Sequence, residues 1–436
     1  MVRAAFVHLG EGVVIRQGAR TTGRTDNRER DMKKIVLSAL AVLMAAVSAN
    51  AQESRDNVLK IGVLSDMSGP LADYDGEGDV IGVKLAVEDM GGKVLGRQIQ
   101  VISADTLNKP DNGSALARKW YEWEGVETIV GGSTSAVGLA IQAISREKRK
   151  IFLITDPGSS DFTGSACSPY GFHFSYDTYA LSNGTARAVL GQGKKNWFFL
   201  TVDYAFGRSL EQEATSLIEA SGGKVLGRAR FPLGTNDFSS FLLQAQASKA
   251  DVVAFASAGA DTVNALKQAA EFGLPQGGQQ LAGLLVLLPD IEALGVKAAQ
   301  GLVVTESFYW DIDDKTRAWT KRFQSAFKGK FPTMTQAGAY SATLHYLKAV
   351  QAAGTTDSDK VAAKMRELPV NDFYNENVAI RPDGRVLVKM YLAQVKTPAE
   401  SKSPQDAYKI LGTIAGKDAF RPLAESQCPL VRDARK

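Results

Sequence analysis

Small hydroxyl residues behind paired glycines are the first candidates for chemistry in this chain. Gly131-Gly132-Ser133-Thr134-Ser135 follows the apolar run at 128–130 and precedes a helical segment from Ala136. Free N–H groups and the positive helix end at such a corner favour an anion, and the three hydroxyls add donors. One hydroxyl is enough for an ordinary N-cap, so three exceed what capping needs. A second corner of the same kind, Thr155-Asp156-Pro157-Gly158-Ser159-Ser160, follows the apolar run at 151–154.

Covalent chemistry at these corners lacks its partners. The first partly echoes the G-x-S-x-G elbow of hydrolases, but its fifth position is Ser135. Past residue 51 the only candidate bases are His173, in an alternating Phe-His-Phe stretch, and His345, beside Leu344 and Tyr346 on an apolar helix face. Neither has an acidic partner at a usable spacing, so both read as structural and no catalytic residue is expected. Gly76-Glu77-Gly78 and Gly191-Gln192-Gly193 do not continue into a dinucleotide or Walker loop. Cysteine spacing fits neither zinc nor a CxxC redox pair, so no metal or cofactor is expected. Cys167 and Cys428 are the two cysteines; in an oxidising compartment they pair, and otherwise they are two buried thiols.

The elements that must position these corners alternate. Strand-like runs at 58–64, 99–103, 128–130 and 151–154 are separated by helical segments at 78–90, 115–123 and 137–145. After Tyr179 the alternation restarts, with strands at 197–202, 225–231 and 252–256 and helices at 210–220 and 262–272. This pattern predicts parallel sheets covered on both faces, in two α/β lobes. Gly91-Gly92-Lys93-Val94-Leu95-Gly96-Arg97 recurs letter for letter at 222–228. In both places it follows a helix and precedes a strand, which reads as a helix stop and turn. Beyond a strand at 301–308, helices are expected at 315–328 and 336–352, then a turn at Pro382-Asp383-Gly384.

The start of the chain reads as an export signal. Met32-Lys33-Lys34, an apolar run at 35–47 and Ala49-Asn50-Ala51 form a basic n-region, an h-region and a small-residue cleavage site. About 13 apolar residues are too few to span a bilayer of roughly 30 Å as a helix. Met32 is then the initiator, residues 1–31 an upstream extension, and cleavage after Ala51 gives a periplasmic protein. Past Ala51 there are 43 basic and 43 acidic residues, so the overall net charge of +4 belongs to the leader. A balanced surface carries no electrostatic footprint for nucleic acid.

Leu59-Lys60-Ile61-Gly62-Val63-Leu64-Ser65-Asp66-Met67-Ser68-Gly69-Pro70, then Gly131-Gly132-Ser133-Thr134-Ser135, then Asp203-Tyr204-Ala205-Phe206-Gly207, resemble the Leu/Ile/Val-binding protein family of solute receptors for ABC importers. The resemblance runs over most of 58–395. It implies a type I periplasmic-binding fold: two Rossmann-like lobes joined by three hinge crossings, near 175–178, 308–311 and 381–384. The lobes are then 52–176 with 310–381, and 177–309 with 382–436. It also implies a solute bound between them at the carboxyl ends of the strands, as in open α/β sheets generally.

On that topology the first lobe contributes Tyr74, Ser133, Thr134 and Ser135. Pro157, Gly158 and Ser159 match the family stretch that shares the ligand's polar head. The other lobe contributes Tyr204, Phe206, Ala258, Gly259 and Asp261, and Phe308 with Tyr309 and Trp310 extends an aromatic lining. Asp177-Thr178-Tyr179-Ala180-Leu181 and the stretch at 236–246 are similar to the branch that takes aromatic carboxylates. An aromatic acid is therefore the expected solute, and a branched-chain amino acid or amide the alternative, with Asp261 or Asp156 available to an ammonium group. The expected partners are that solute and an inner-membrane permease, with the receptor a monomer.

Overall fold

A computed structural model describes residues 57–433. The signal segment and its cleavage site lie outside the described residues. Eight-residue β1 (Val58–Ser65), β3 (Arg97–Asp105), β4 (Val126–Gly131), β5 (Ile151–Ile154) and β6 (Gly171–His173) run parallel, with the two-residue β2 (Lys93–Val94) antiparallel on the edge. Their order is β2-β3-β1-β4-β5-β6. The central strands are buried along nearly their whole length, which is why they read as apolar runs rather than alternating ones. Helices α1 (Gly76–Asp89), α2 (Pro110–Lys119) and α3 (Ser135–Lys148) connect them.

A second parallel sheet, in the order β10-β9-β7-β8, is built from β7 (Asn196–Val202), β8 (Lys224–Phe231), β9 (Val252–Ala256) and β10 (Gln280–Gly283). Its helices are α4 (Ala205–Ala220), α5 (Ser239–Ala247), α6 (Gly259–Glu271) and α7 (Leu288–Leu294). The alternation expected from the sequence is thus present as two parallel α/β sheets. A third, antiparallel sheet of β11 (Val303–Glu306), β12 (Met390–Val395) and β13 (Tyr408–Ile414) was only partly legible, because β13 is largely exposed and carries no apolar alternation.

Sequence order and packing diverge after β11. Helices α8 (Asp314–Ala326) and α9 (Met334–Ala353) return to pack on α1, and α10 (Ser358–Glu367) packs on α9. The α9 start is fixed by a capping box between Thr333 and Gln336, and its end by Gly354 in the left-handed region.

Between these packing units the chain is tied by Arg385, which has no exposed surface. Its guanidinium donates to the Asp177 carboxylate at 3.3 Å and to the carbonyls of His173 and Ser175, and it lies 4.2 Å over the Phe420 ring. The backbone joins in, with His173 N–H donating to Gly384 and Val386 N–H donating to His173. Cys167 and Cys428 form a disulfide with Cα atoms 5.6 Å apart, anchoring the C-terminal tail.

The repeated heptapeptide adopts two structures. At 91–97 it is a hairpin, with Leu95 and Gly96 left-handed in the turn and Lys93 opposite Gln98. At 222–228 it runs straight into β8, paired with β7. Partner strands decide the outcome, because the same residues have the same intrinsic preferences in both copies.

Removing one partner of a buried ion pair leaves an uncompensated charge, a loss of about 3–5 kcal/mol. Arg385→Met is therefore expected to lower the unfolding free energy by that amount in urea titrations, whereas a loss below about 1 kcal/mol would show that Arg385 does not hold the crossing.

Candidate functional site

Both sheets end at one small cavity. Tyr74, Ser133, Thr134, Ser135, Pro157 and Gly158 line it from the first packing unit, and Tyr204, Phe206 and Ala258 from the second. Nine of the residues singled out by sequence thus come together, although they span 185 positions of the chain. Leu71, Asp75, Asp156, Tyr176 and Thr335 complete the lining, and the space between atoms, mouth included, is ≈ 310 Å³. Each sheet delivers its corner residues at strand carboxyl ends: Ser133 after β4, Pro157 after β5, Tyr204 after β7 and Ala258 after β9.

Five expected residues lie elsewhere. Ser159 spends its hydroxyl locally, accepting from Asp161 N–H at 3.2 Å. Asp261 accepts from Gly234 N–H at 3.1 Å and so holds a turn, with burial pushing its carboxyl up to about 6. Phe308 is a core side chain, edge-on to Trp319, Phe373 and Tyr374. Tyr309 and Trp310 both donate to the Gln405 carbonyl at 2.8 Å. Gly259 is at the rim: its φ is +58°, and a Cβ there would stand 2.5 Å from the Pro70 carbonyl oxygen across the cleft.

The two units touch directly around this cavity. Ala260 N–H donates to the Pro70 carbonyl at 3.3 Å, the Tyr74 hydroxyl donates to Asp290, and Ser160 Oγ donates to Glu213 at 2.7 Å. Burial pushes the Asp290 carboxyl up to about 7, with the Tyr74 hydrogen bond opposing the rise. The Tyr74 backbone is itself fixed by Thr333 and Thr335, whose hydroxyls both donate to its carbonyl.

The serine corner already holds an anion of its own. Ser133 N–H donates to Asp156 Oδ2 at 3.1 Å, and the Ser133 hydroxyl donates to Asn108. Gly131 permits this approach, since a Cβ there would lie 3.0 Å from Asp156 Oδ2 and 2.5 Å from the Leu64 carbonyl. Thr134 is the ordinary N-cap, accepting from Val137 N–H at 3.4 Å, and Ser135 Oγ accepts from Ser159 N–H at 3.0 Å. The hydroxyl protons of Thr134 and Ser135 are what the corner still offers an outside acceptor.

Asp75, Asp79 and Asp156 form a buried acidic cluster, with one oxygen of each within 4.8 Å of the others. Ser65 Oγ donates to Asp79 at 2.9 Å and Thr155 Oγ1 to Asp156 at 2.8 Å. Asp75 stands at the N-cap of α1 but does not cap it, and neither of its carboxylate oxygens has a hydrogen-bond partner among the described residues. Two carboxylates at such a separation repel by about 3–4 kcal/mol at an effective dielectric of about 20. Burial, then Asp156, raises Asp75 and Asp79 well above the usual carboxylate range. Asp156 is pushed up by burial to about 6, a rise that hydrogen bonds from Asp79 and from the Ser133 N–H oppose. The groups facing the cluster are Asp66, Tyr176 and Tyr204, none of them a cation. Sequence reasoning passed over Asp75 and Asp79 because acids at a helix start read as ordinary dipole partners. Their i, i+4 spacing puts them on one face, yet nothing local announces that Asp156 meets them.

His173 and His345 are both buried, and burial holds both rings below their ordinary range, His345 at about 4. His345 Nε2 pairs with the Met365 carbonyl at 2.9 Å. Among the described residues no helix is long and apolar enough to cross a membrane.

Two parallel α/β units meeting over a shared cavity define a binding protein of the two-lobed type. A family model described as "Periplasmic binding protein" matches residues 58–403, and the chain belongs to that family. A periplasmic binding protein from Burkholderia mallei, solved by crystallography, is 47% identical, with a TM-score of 0.84 over 86% of this chain and 99% of that one. Leu/Ile/Val-binding protein homolog 6 of Brucella melitensis biotype 1 is 30% identical over 347 residues, 77% of this chain and 85% of the relative. A solute-binding protein of an ABC transporter from Rhodopseudomonas palustris HaA2, solved with p-hydroxybenzoic acid, is 25% identical with a TM-score of 0.76, over 83% of this chain and 98% of that one. The chain is a binding protein of the ABC-transporter class and not an enzyme.

A carboxyl group whose pKa is raised on folding contributes stability below its unfolded value, and that stability is lost as pH rises through the folded value. The ligand-free protein is therefore expected to melt at lower temperature at pH 8 than at pH 5.5. Asp75→Asn, which removes one of three crowded carboxyl groups, should raise the melting temperature at pH 8 more than at pH 5.5, by about 1 °C for each kcal/mol gained in a chain of this length. An equal change at both pH values would show that the cluster does not titrate with folding.

Proposed function

We propose that this chain is the periplasmic receptor of an ABC importer, capturing a small organic solute by closure of two lobes and presenting the closed form to an inner-membrane permease. The lobes are residues 52–176 with 310–381 and 177–309 with 382–436, and residues 1–51 are removed on export. The observation that carries the reading is the cavity itself: its wall is shared between both sheets, so a solute in it bridges the lobes and favours the closed form by its contacts with both. A receptor acting as a monomer leaves both lobes free for the permease.

The body of the solute is aromatic. Tyr74, Tyr176, Tyr204 and Phe206 supply ring walls, with Tyr176 edge-on to Phe206 at 6.5 Å. The p-hydroxybenzoic acid bound by the Rhodopseudomonas neighbour is of this shape, and an aromatic acid would direct its carboxylate to the free hydroxyl protons of Thr134 and Ser135. The name of the Brucella relative keeps branched-chain amino acids as the second class, and Leu71 offers them an apolar contact.

A ligand in excess of its dissociation constant stabilises the native state by RT ln(1 + [L]/Kd), so a thermal-shift panel of aromatic acids, amino acids, amides and sugars on residues 52–436 tests the reading. A shift confined to one solute class is expected; generic ester hydrolysis with no shift in any class would overturn the receptor. Gly259→Ala puts a Cβ against Pro70 and should weaken the selected solute about tenfold, about 1.4 kcal/mol, measured by calorimetry. Unchanged affinity would mean that closure does not require the approach of Gly259 to Pro70.

A further inference from the structure

We propose that the C-terminal tail is a fourth tie between the two lobes, locked by the Cys167–Cys428 disulfide, which limits how far the cleft opens and so raises the share of the closed form. This rests on the closure reading above and adds to it a device that the three chain crossings do not supply.

The tail begins on one unit and is fastened to the other. It leaves β13, whose sheet packs with the second unit: Ala393, Val395 and Tyr408 share a core cluster with Phe198, Val253 and Phe255. Next it passes the crossing, where Phe420 lies under the Arg385 guanidinium and Arg381 donates to the Arg421 carbonyl at 2.7 Å. There the second unit still holds it. Asn183 donates to the Asp418 carbonyl at 2.7 Å, and the Arg421 guanidinium pairs with Glu213 of α4 and stands 4.8 Å over the Tyr179 ring. Seven residues later Cys428 is bonded to Cys167, which lies between β5 and β6 of the first sheet. Cys167, Cys428 and Val431 form a small apolar cluster of their own, so the far end of the tail is anchored on the first unit.

Open space borders the span between these anchors. One cavity, of ≈ 270 Å³, draws its wall from both units, with Ser160 and Asp161 from the first and Arg208 and Gln212 from the second. Another, of ≈ 380 Å³, is lined by Asn183, Arg187 and Leu217, and Arg421 and Gln427 border both. A segment fastened at its ends with space beside it acts as a strap rather than as a packed layer. Seven residues reach at most about 25 Å when fully extended. With Arg421 held, the lobes can therefore part here only by unwinding the turn at Leu423–Glu425.

A covalent tie between two parts removes conformations from the state in which they are apart and leaves the state in which they touch nearly unchanged. Fewer open conformations mean a larger closed fraction, and apparent affinity rises in proportion to that fraction. Glu213 links the strap to the cleft directly. Its carboxylate accepts from Ser160 of the first unit at 2.7 Å and pairs with Arg421 of the tail, so a contact between the units shares its acceptor with the strap.

The test uses ligand-free residues 52–436 in three forms: wild type, Cys167→Ser/Cys428→Ser, and a version with a protease site inserted between Glu425 and Ser426 that is cut after purification. Cutting keeps the disulfide and its packing, and so removes the tie alone. In both altered forms exchange of the Ala260 amide, which donates across the cleft, is expected to quicken about threefold or more, while the Leu284 amide, paired with Phe255 of β9, stays as protected as before. The radius of gyration from small-angle X-ray scattering should rise by a few per cent of the roughly 21 Å of a compact chain of this length. A lower melting temperature with Ala260 exchange and radius unchanged would overturn the inference, leaving the disulfide a stabiliser of the tail. A change in the serine variant that the cut form does not share would overturn it too, since lost packing would then be the cause. Because no solute is used, a solute panel without any shift would count against the receptor reading and leave the tie standing.

Discussion

A guanidinium with no exposed surface organises the crossing between the two sheets. Arg385 reaches Asp177 and the carbonyls of His173 and Ser175, so the first passage of the chain out of the first sheet is fastened to the last. Such a charge can be buried only if its donors find acceptors, and these are supplied by the segment at 173–177, with Asp177 lying 208 residues from Arg385 in the sequence. On the proposed closure, the sheets would move about this fastened crossing while their corner loops stayed in register with one another. Tyr204 and Ala258 therefore face Ser133 and Pro157 whenever the cleft is shut.

What the shut cleft encloses is electrostatically one-sided. Three carboxyl groups are buried within reach of one another, and among the described residues they are met by hydrogen bonds from Ser65, Ser133 and Thr155 rather than by a cation. Stability alone does not favour this arrangement, because replacing Asp75 by a neutral isostere removes one of three crowded carboxyl groups. On the proposed receptor reading, repulsion within the cluster disfavours the empty closed state relative to a loaded one in which a ligand group meets it.

Much of this was legible in the sequence, and the parts that were not share a cause. Strands buried on both faces announce themselves, so the strands 151–154 and 252–256 were placed residue for residue. The corners followed, because glycine and hydroxyl residues after a strand have few other uses. Phe308 was assigned to the cavity from its place at a strand end, but the rings of Trp319 and Phe373, on or beyond helices that return to the first sheet, draw it into the core. Asp261 was placed in the cleft from its helix start, where the Gly234 turn takes it instead. The repeated heptapeptide makes the point most directly, since seven identical residues form a hairpin beside β3 and lead into a continuous, bulged strand beside β7. Local pattern fixes which residues prefer a strand or a turn; distant partners decide what those residues meet, and the convergence of Asp75 and Asp79 on Asp156 is of that kind.

Central to the proposed receptor is a rigid crossing about which the cleft would open and shut. Amide hydrogen exchange with and without the bound solute reads both halves at once. The Ala260 amide, which donates across the cleft to Pro70, should gain protection when solute binds, while the His173 and Val386 amides at the crossing stay equally protected in both states. Protection at Ala260 that does not change with solute, or crossing amides that exchange freely without it, would contradict closure about a fixed hinge.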